Sequence, residues 1–123
     1  MIMSKSQTIT IKNSFDIILA RMRVRQWART TGLGIQDQAC IALATSSLAH
    51  ALKLGETSEG RIDIYRSDEG ERAGVRVVCT LANNTKTDSV SEAFADTRWM
   101  VDDLNIETLP SNELEITLIK WAT

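Results

Sequence analysis

The amino-acid sequence predicts a two-layer α+β sandwich within the broader α/β class, a mostly antiparallel sheet with three helices on one face. Two kinds of periodicity support this. Short β-branched segments alternate polar and apolar residues, as half-buried strands do, whereas longer alanine- and leucine-rich segments repeat at helical spacing. Short polar turns join consecutive strands, which implies antiparallel pairing.

Taken in order, Thr8-Ile9-Thr10-Ile11 reads as a first strand. Asn13-Ser14, with Asp16 in the next turn, is an N-cap signal for a first helix. Phe15, Ile18, Leu19 and Met22 repeat at helical spacing and predict its core stripe, which Trp27 extends. Gly32 supplies the stop. A second helix starts near Ile35-Gln36-Asp37, is alanine-rich and apolar over most of its surface, and closes at Gly55. Arg61-Ile62-Asp63-Ile64-Tyr65 and Val75 to Leu81 form an antiparallel hairpin around a long charged loop from Ser67 to Gly74. Val90, Phe94, Val101 and Leu104 share one face of a third helix. Asn105 to Leu109 is a short strand, Pro110-Ser111-Asn112 a turn, and Leu114, Ile116 and Leu118 alternate in a last strand ending near Trp121. The resulting order is β-α-α-β-β-α-β-β.

A chain of 123 residues suits one domain spanning 1–123. Its net charge of -2 lacks the basic excess of a nucleic-acid binder, so no nucleic-acid partner is expected. Cys40 and Cys79 lie in apolar runs and read as free thiols. With His50 as the one histidine, no zinc or other metal site is expected. The N-terminus lacks the apolar core of a signal peptide, and no apolar run is long enough to span a bilayer. The expectation is a cytoplasmic protein with no membrane partner.

The stretch from Gly32 to Ala51, GLGIQDQACIALATSSLAHA, resembles the second helix of histidine-kinase-like (Bergerat-fold, GHKL) ATPases. The branch it is most similar to is that of bacterial anti-sigma factors and stress-response switch kinases, small serine protein kinases. Gly60-Arg61-Ile62-Asp63-Ile64, Gly74-Val75-Arg76-Val77-Val78 and the closing Leu118-Ile119-Lys120-Trp121 resemble later strands of that family, so the likeness covers nearly the whole chain. It implies a fold whose second helix carries a glutamate as general base and, one turn later, an asparagine that ligates magnesium. Residues four apart share a helix face, so both groups would reach one nucleotide.

The corresponding residues here are Ser47 and Ala51, and neither can do that chemistry. The family's Asp-x-Gly-x-Gly motif, which binds adenine, falls on Leu81-Ala82-Asn83-Asn84-Thr85, with no aspartate at Leu81 and no glycine at Asn83 or Thr85. Its glycine-rich phosphate lid has no counterpart, because no glycine follows Gly74. The expectation is a degenerate member, a pseudokinase with no cofactor. Ser47, Ala51, Leu81, Asn83 and Thr85 then line a vestigial nucleotide pocket, and no residue is catalytic.

Arg21, Arg25 and Arg29 fall at four-residue steps along the first helix. They read either as a solvated face or as a docking stripe for an acidic partner. Trp99 lies off the third helix's apolar face and is a candidate anchor. His50 is expected to be partly buried and hydrogen-bonded. The resemblance implies a regulatory protein-binding domain in bacterial signal transduction, with a STAS-domain antagonist, a sigma factor or a PP2C-type phosphatase as partner. The alternative is a divergent ATP-dependent serine protein kinase using ATP and magnesium through other groups, such as Glu56 or Asp88. The open sheet face is a candidate homodimer surface.

Overall fold

A computed structural model describes residues 6–56, 59–82 and 94–122. Among them, five strands form one antiparallel sheet in the order β1-β2-β3-β5-β4. Its elements are β1 (Ser6–Ile11), α1 (Ser14–Thr31), α2 (Ile35–Ala51), β2 (Gly60–Glu69), β3 (Arg72–Ala82), β4 (Asp103–Thr108) and β5 (Glu113–Trp121). A third helical segment covers residues 94–97 and tightens into a 3-10 turn at Arg98–Met100. The expected fold class and element order both hold.

α1 starts where the sequence signals it. The Asn13 side chain accepts from the backbone N–H of Phe15 (2.9 Å) and Asp16 (3.2 Å), and the Asp16 carboxylate accepts from Asn13 N–H (3.3 Å). This reciprocal box satisfies donors that the helix leaves free. At the other end Gly32 takes φ 101, the left-handed conformation that stops the helix.

The buried face of α1 is not the predicted one. Ile17, Ala20, Val24, Ala28 and Thr31 face inward. Phe15, Ile18, Leu19 and Met22 point away and are exposed by 77%, 47%, 38% and 55%. The small Ala20 and Ala28, with the short branched Val24, let α1 lie close to the sheet and α2. A large residue there would hold it off. Trp27 is half-buried at the edge, where its indole N–H donates to Gln7 Oε1 at 3.0 Å.

α2 is buried along Gln38, Ile41, Ala42, Ala44, Thr45, Ser46, Leu48 and Ala49. It ends at Ala51 with Leu52 as its cap, ahead of the predicted Gly55. Gly55 turns the chain instead, with φ 81, and packs so closely on α1's cap that a β-carbon there would lie 2.8 Å from Asn13 N.

The sheet's inner face supplies Ile9, Ile11, Ile62, Ile64, Val75, Val77, Cys79, Leu81, Leu114, Ile116 and Leu118 to the same core. Burying each large aliphatic side chain contributes about 2 kcal/mol. The long loop predicted between β2 and β3 is absent. Glu69 pairs with Arg72, so the strands meet through Gly70 and Glu71 alone. Gly70, at φ 62, supplies the positive φ that a tight hairpin needs at its first central position.

The third helix also ends earlier than its periodicity suggests. Leu104 sits on β4, paired with Leu118, not on a helix. Asp102, just before β4, leads into the new strand: its N–H donates to Ile119 O (2.9 Å) and its carboxylate accepts from Trp121 N–H (2.8 Å). Pairing with β5 outweighs helical spacing here. Val90 lies outside the described residues.

Candidate functional site

Among the described residues, those corresponding to the nucleotide-binding positions, Ser47, Ala51 and Leu81, do not form one polar cluster. Ser47 is half-buried on α2, and Ala51, one turn later, is exposed at the helix end. Leu81 is 1% exposed and packs in the apolar core, where an aspartate would lack solvent. Asn83, Thr85 and Asp88 lie outside the described residues, and Glu56 is exposed in the turn after α2.

The carboxylate on α2, Asp37, is ten residues before Ser47, about 15 Å along the axis. It is occupied elsewhere. Lys120 Nζ on β5 lies 3.7 Å from Asp37 and 3.3 Å from Asp102, joining α2 to the start of β4. Burial works to lower the Lys120 pKa, but the hydrogen bond and charge of Asp102 and the charge of Asp37 outweigh it, so the ammonium titrates above its ordinary range. The nearby thiols are free. Cys40 is half-buried and Cys79 fully so, and burial, then the Asp63 charge, pushes Cys79 up to about 12. His50 is exposed, not buried and hydrogen-bonded as expected, because it falls on the solvent side of α2.

The outer face of α1 is a different kind of surface. Arg21, Arg25 and Arg29 are exposed, as are Phe15, Ile18, Leu19 and Met22. By helical spacing, Arg25 and Arg29 continue the line of Ile18 and Met22 toward the C-terminus, and Arg21 flanks it. The face is thus apolar in its first two turns and cationic in its last two, directly opposite the packed side. The arginine stripe is legible from sequence alone. The apolar half is hidden by its own hydrophobicity, which reads as core. The signal that separates the two faces is length: the row Ile17, Ala20, Val24, Ala28 and Thr31 runs the whole helix, whereas the Phe15 row stops at Met22.

Trp99 is 89% exposed on the 3-10 turn, so this candidate anchor stands on the surface. Trp121 is buried. It ends β5, inside the sheet, under the Arg72 guanidinium at 4.1 Å.

No protein-family model matches the chain. It is similar to a protein of Bacillus subtilis (strain 168) named serine/threonine-protein kinase RsbT, with 23% identity over 132 aligned residues covering 97% of this chain and 98% of that one. This likeness runs nearly end to end and supports a distant relation to the switch-kinase branch of anti-sigma regulators. Among the described residues, no helix is long and apolar enough to cross a membrane.

Proposed function

We propose that this chain is a non-catalytic regulatory domain of the switch-kinase kind, which binds a signalling protein through the outer face of α1. The observation that carries the reading is the exposure of Phe15, Ile18, Leu19 and Met22 in line with Arg25 and Arg29. A solvated helix face has no need of a large apolar row, and contiguous exposed apolar surface marks interaction sites. The aromatic and aliphatic side chains act as anchors, while the arginines select an acidic neighbour.

The chemistry at α2 points the same way. Phosphoryl transfer is positioning plus charge neutralisation, so it needs groups that hold magnesium and the phosphates. Ser47 and Ala51 offer neither a carboxylate nor an amide, and Leu81 offers no acceptor for an adenine amino group. The partners of the proposed domain are those of its relatives' class: a STAS-domain antagonist, a sigma factor or a PP2C-type phosphatase. The similarity to a protein named as a kinase favours one second reading, a divergent serine protein kinase.

Two measurements decide between them. Partner candidates encoded beside this gene are titrated calorimetrically with the natural chain, with Phe15→Ser/Met22→Ser and with Arg25→Glu/Arg29→Glu. Both doubles are expected to weaken binding by more than about tenfold, the size of effect seen for interface anchors. Unchanged binding by both removes α1 as the docking face. Transfer of labelled phosphate from ATP to the partner establishes the kinase reading instead.

A further inference from the structure

We propose that the free edge of β4 takes up an extended segment of another protein as a sixth strand, a segment in which aliphatic residues alternate with lysine or arginine. β4 ends the sheet opposite β1, whereas α1 packs on β1, β2 and β3. The inference therefore stands apart from the α1 docking reading.

The phase of the ladder shows which backbone groups β4 leaves over. Leu109 N–H donates to Glu113 O at 2.8 Å. Pairing then runs without a break from Thr108 opposite Leu114 back to Asp103 opposite Ile119. Bonded and non-bonded positions alternate in an antiparallel pair. Asp103, Asn105 and Glu107 therefore aim their N–H and C=O at β5. Leu104, Ile106 and Thr108 aim theirs away from the sheet, with no partner among the described residues. They form a row of three donors and three acceptors, which is what an added strand pairs with.

Natural edges are ordinarily blunted by a proline, a lysine, a bulge or an inward-pointing charge. β4 reads Asp-Leu-Asn-Ile-Glu-Thr in unbroken register, so it has none of these. Nor does a helix shield it as α1 shields β1. The inner-face residues of β1, Ile9 and Ile11, are 7% and 0% exposed, but Ile106 on β4 is 38% exposed and Leu104 half-buried. α2 packs on β3 and β5, so β4 projects past the helical layer. An added strand would cover Ile106 with its own inward side chains, and these must be aliphatic.

The other side of β4 sets the charge. Residues 94–122 hold six carboxylates against two cations, Arg98 and Lys120. Lys120 is already held by Asp37 and Asp102. Asp103 accepts from the Trp121 indole N–H at 3.3 Å. Glu107 is exposed, stands opposite Glu115, and has no ion pair among the described residues. A lysine facing Glu107 from a strand about 4.8 Å away forms an opposite-charge cross-strand pair. An acidic strand is repelled, so charge selects a basic occupant.

The probe is a capped peptide, Lys-Val-Lys-Val-Lys-Val, titrated into the full chain to roughly 1 mM, the range for a weak single-strand contact. Amide NMR shifts and hydrogen exchange report the site. The amides of Leu104, Ile106 and Thr108 are expected to exchange fast in the free chain and to be protected by the peptide. Two control peptides keep its composition or charge: one in block order, Lys-Lys-Lys-Val-Val-Val, and one N-methylated on the alternate amides that would face β4. Both are expected to bind more than about tenfold more weakly, because one loses the alternation and the other its donors. Glu107→Lys is expected to weaken Lys-Val binding about tenfold and to favour Glu-Val-Glu-Val-Glu-Val instead. Glu107 is exposed on an edge strand, so its replacement leaves folding intact. Phe15→Ser/Met22→Ser is expected to change nothing. No binding up to 1 mM overturns the proposal, as does equal binding of either control peptide, which leaves charge attraction alone. Shifts confined to α1 overturn it too. So does protection of the three amides in the free chain that grows with concentration, which assigns the edge to a second copy.

Discussion

Cys79 lies on the inner face of β3, 2% exposed, and burial pushes its thiol from 9.0 up to about 12. Above pH 9 the unfolded chain ionises this thiol while the folded chain keeps its proton. The unfolded state then binds fewer protons, so stability falls as pH rises from about 9 to about 12 and is full below 9. A Cys79→Ser variant is expected to flatten that part of the urea-unfolding pH profile. With iodoacetamide at neutral pH the half-buried Cys40 is alkylated in the native protein, and Cys79 only after denaturation, which peptide mass spectrometry reads directly. Gly55 is the second informative residue. Its φ of 81 and the 2.8 Å approach to Asn13 leave no room for a β-carbon. Gly55→Ala is expected to cost about 1–3 kcal/mol in urea unfolding. The sequence marks Gly55 as a helix stop, but only the fold shows that α1's cap sits against it.

α1 carries two faces with different consequences. Asn13→Ala removes the cap and is expected to cost about 1 kcal/mol. On the packed face, Ile17→Ala or Val24→Ala opens a cavity beside residues that are 2% and 0% exposed, at a cost of about 2–4 kcal/mol. On the outer face, Met22→Gln is expected to change stability by less than about 0.5 kcal/mol, because Met22 is already 55% exposed. Thermal unfolding of these variants separates the two faces. If Met22→Gln costs as much as Val24→Ala, the assignment of faces fails. At this scale the start and stop of α1 are legible, because caps and glycines act locally. The choice of buried row is not, because hydrophobicity marks both rows and only the space available under the helix prefers alanine to phenylalanine. The third helix fails for a related reason. Leu104 satisfies helical spacing with Val101, yet β5 offers it a strand partner in Leu118.

For the molecule as a whole, the proposed loss of nucleotide binding has a thermodynamic signature. A ligand binding the native state with micromolar affinity, supplied at about 1 mM with magnesium, stabilises by about 4 kcal/mol. For a chain of 123 residues that would raise the melting temperature by more than about 10 °C. We expect ATP with magnesium to leave the unfolding transition unmoved. A rise of that size would show a working nucleotide site and favour the kinase reading.

Element order, the caps of α1, the antiparallel hairpins and the residues standing at Ser47, Ala51 and Leu81 were all determined by the sequence, because periodicity, turn chemistry and side-chain identity are local properties. Which row of α1 is buried, the two-residue turn at Gly70 and Glu71, the early end of the third helix and the exposure of His50 were decided by the tertiary structure alone. Each depends on a partner distant in sequence: the sheet beneath α1, β3 beside β2, or β5 beside β4. A pattern along the chain records what a residue is, but its burial and its pairing depend on what the fold sets against it.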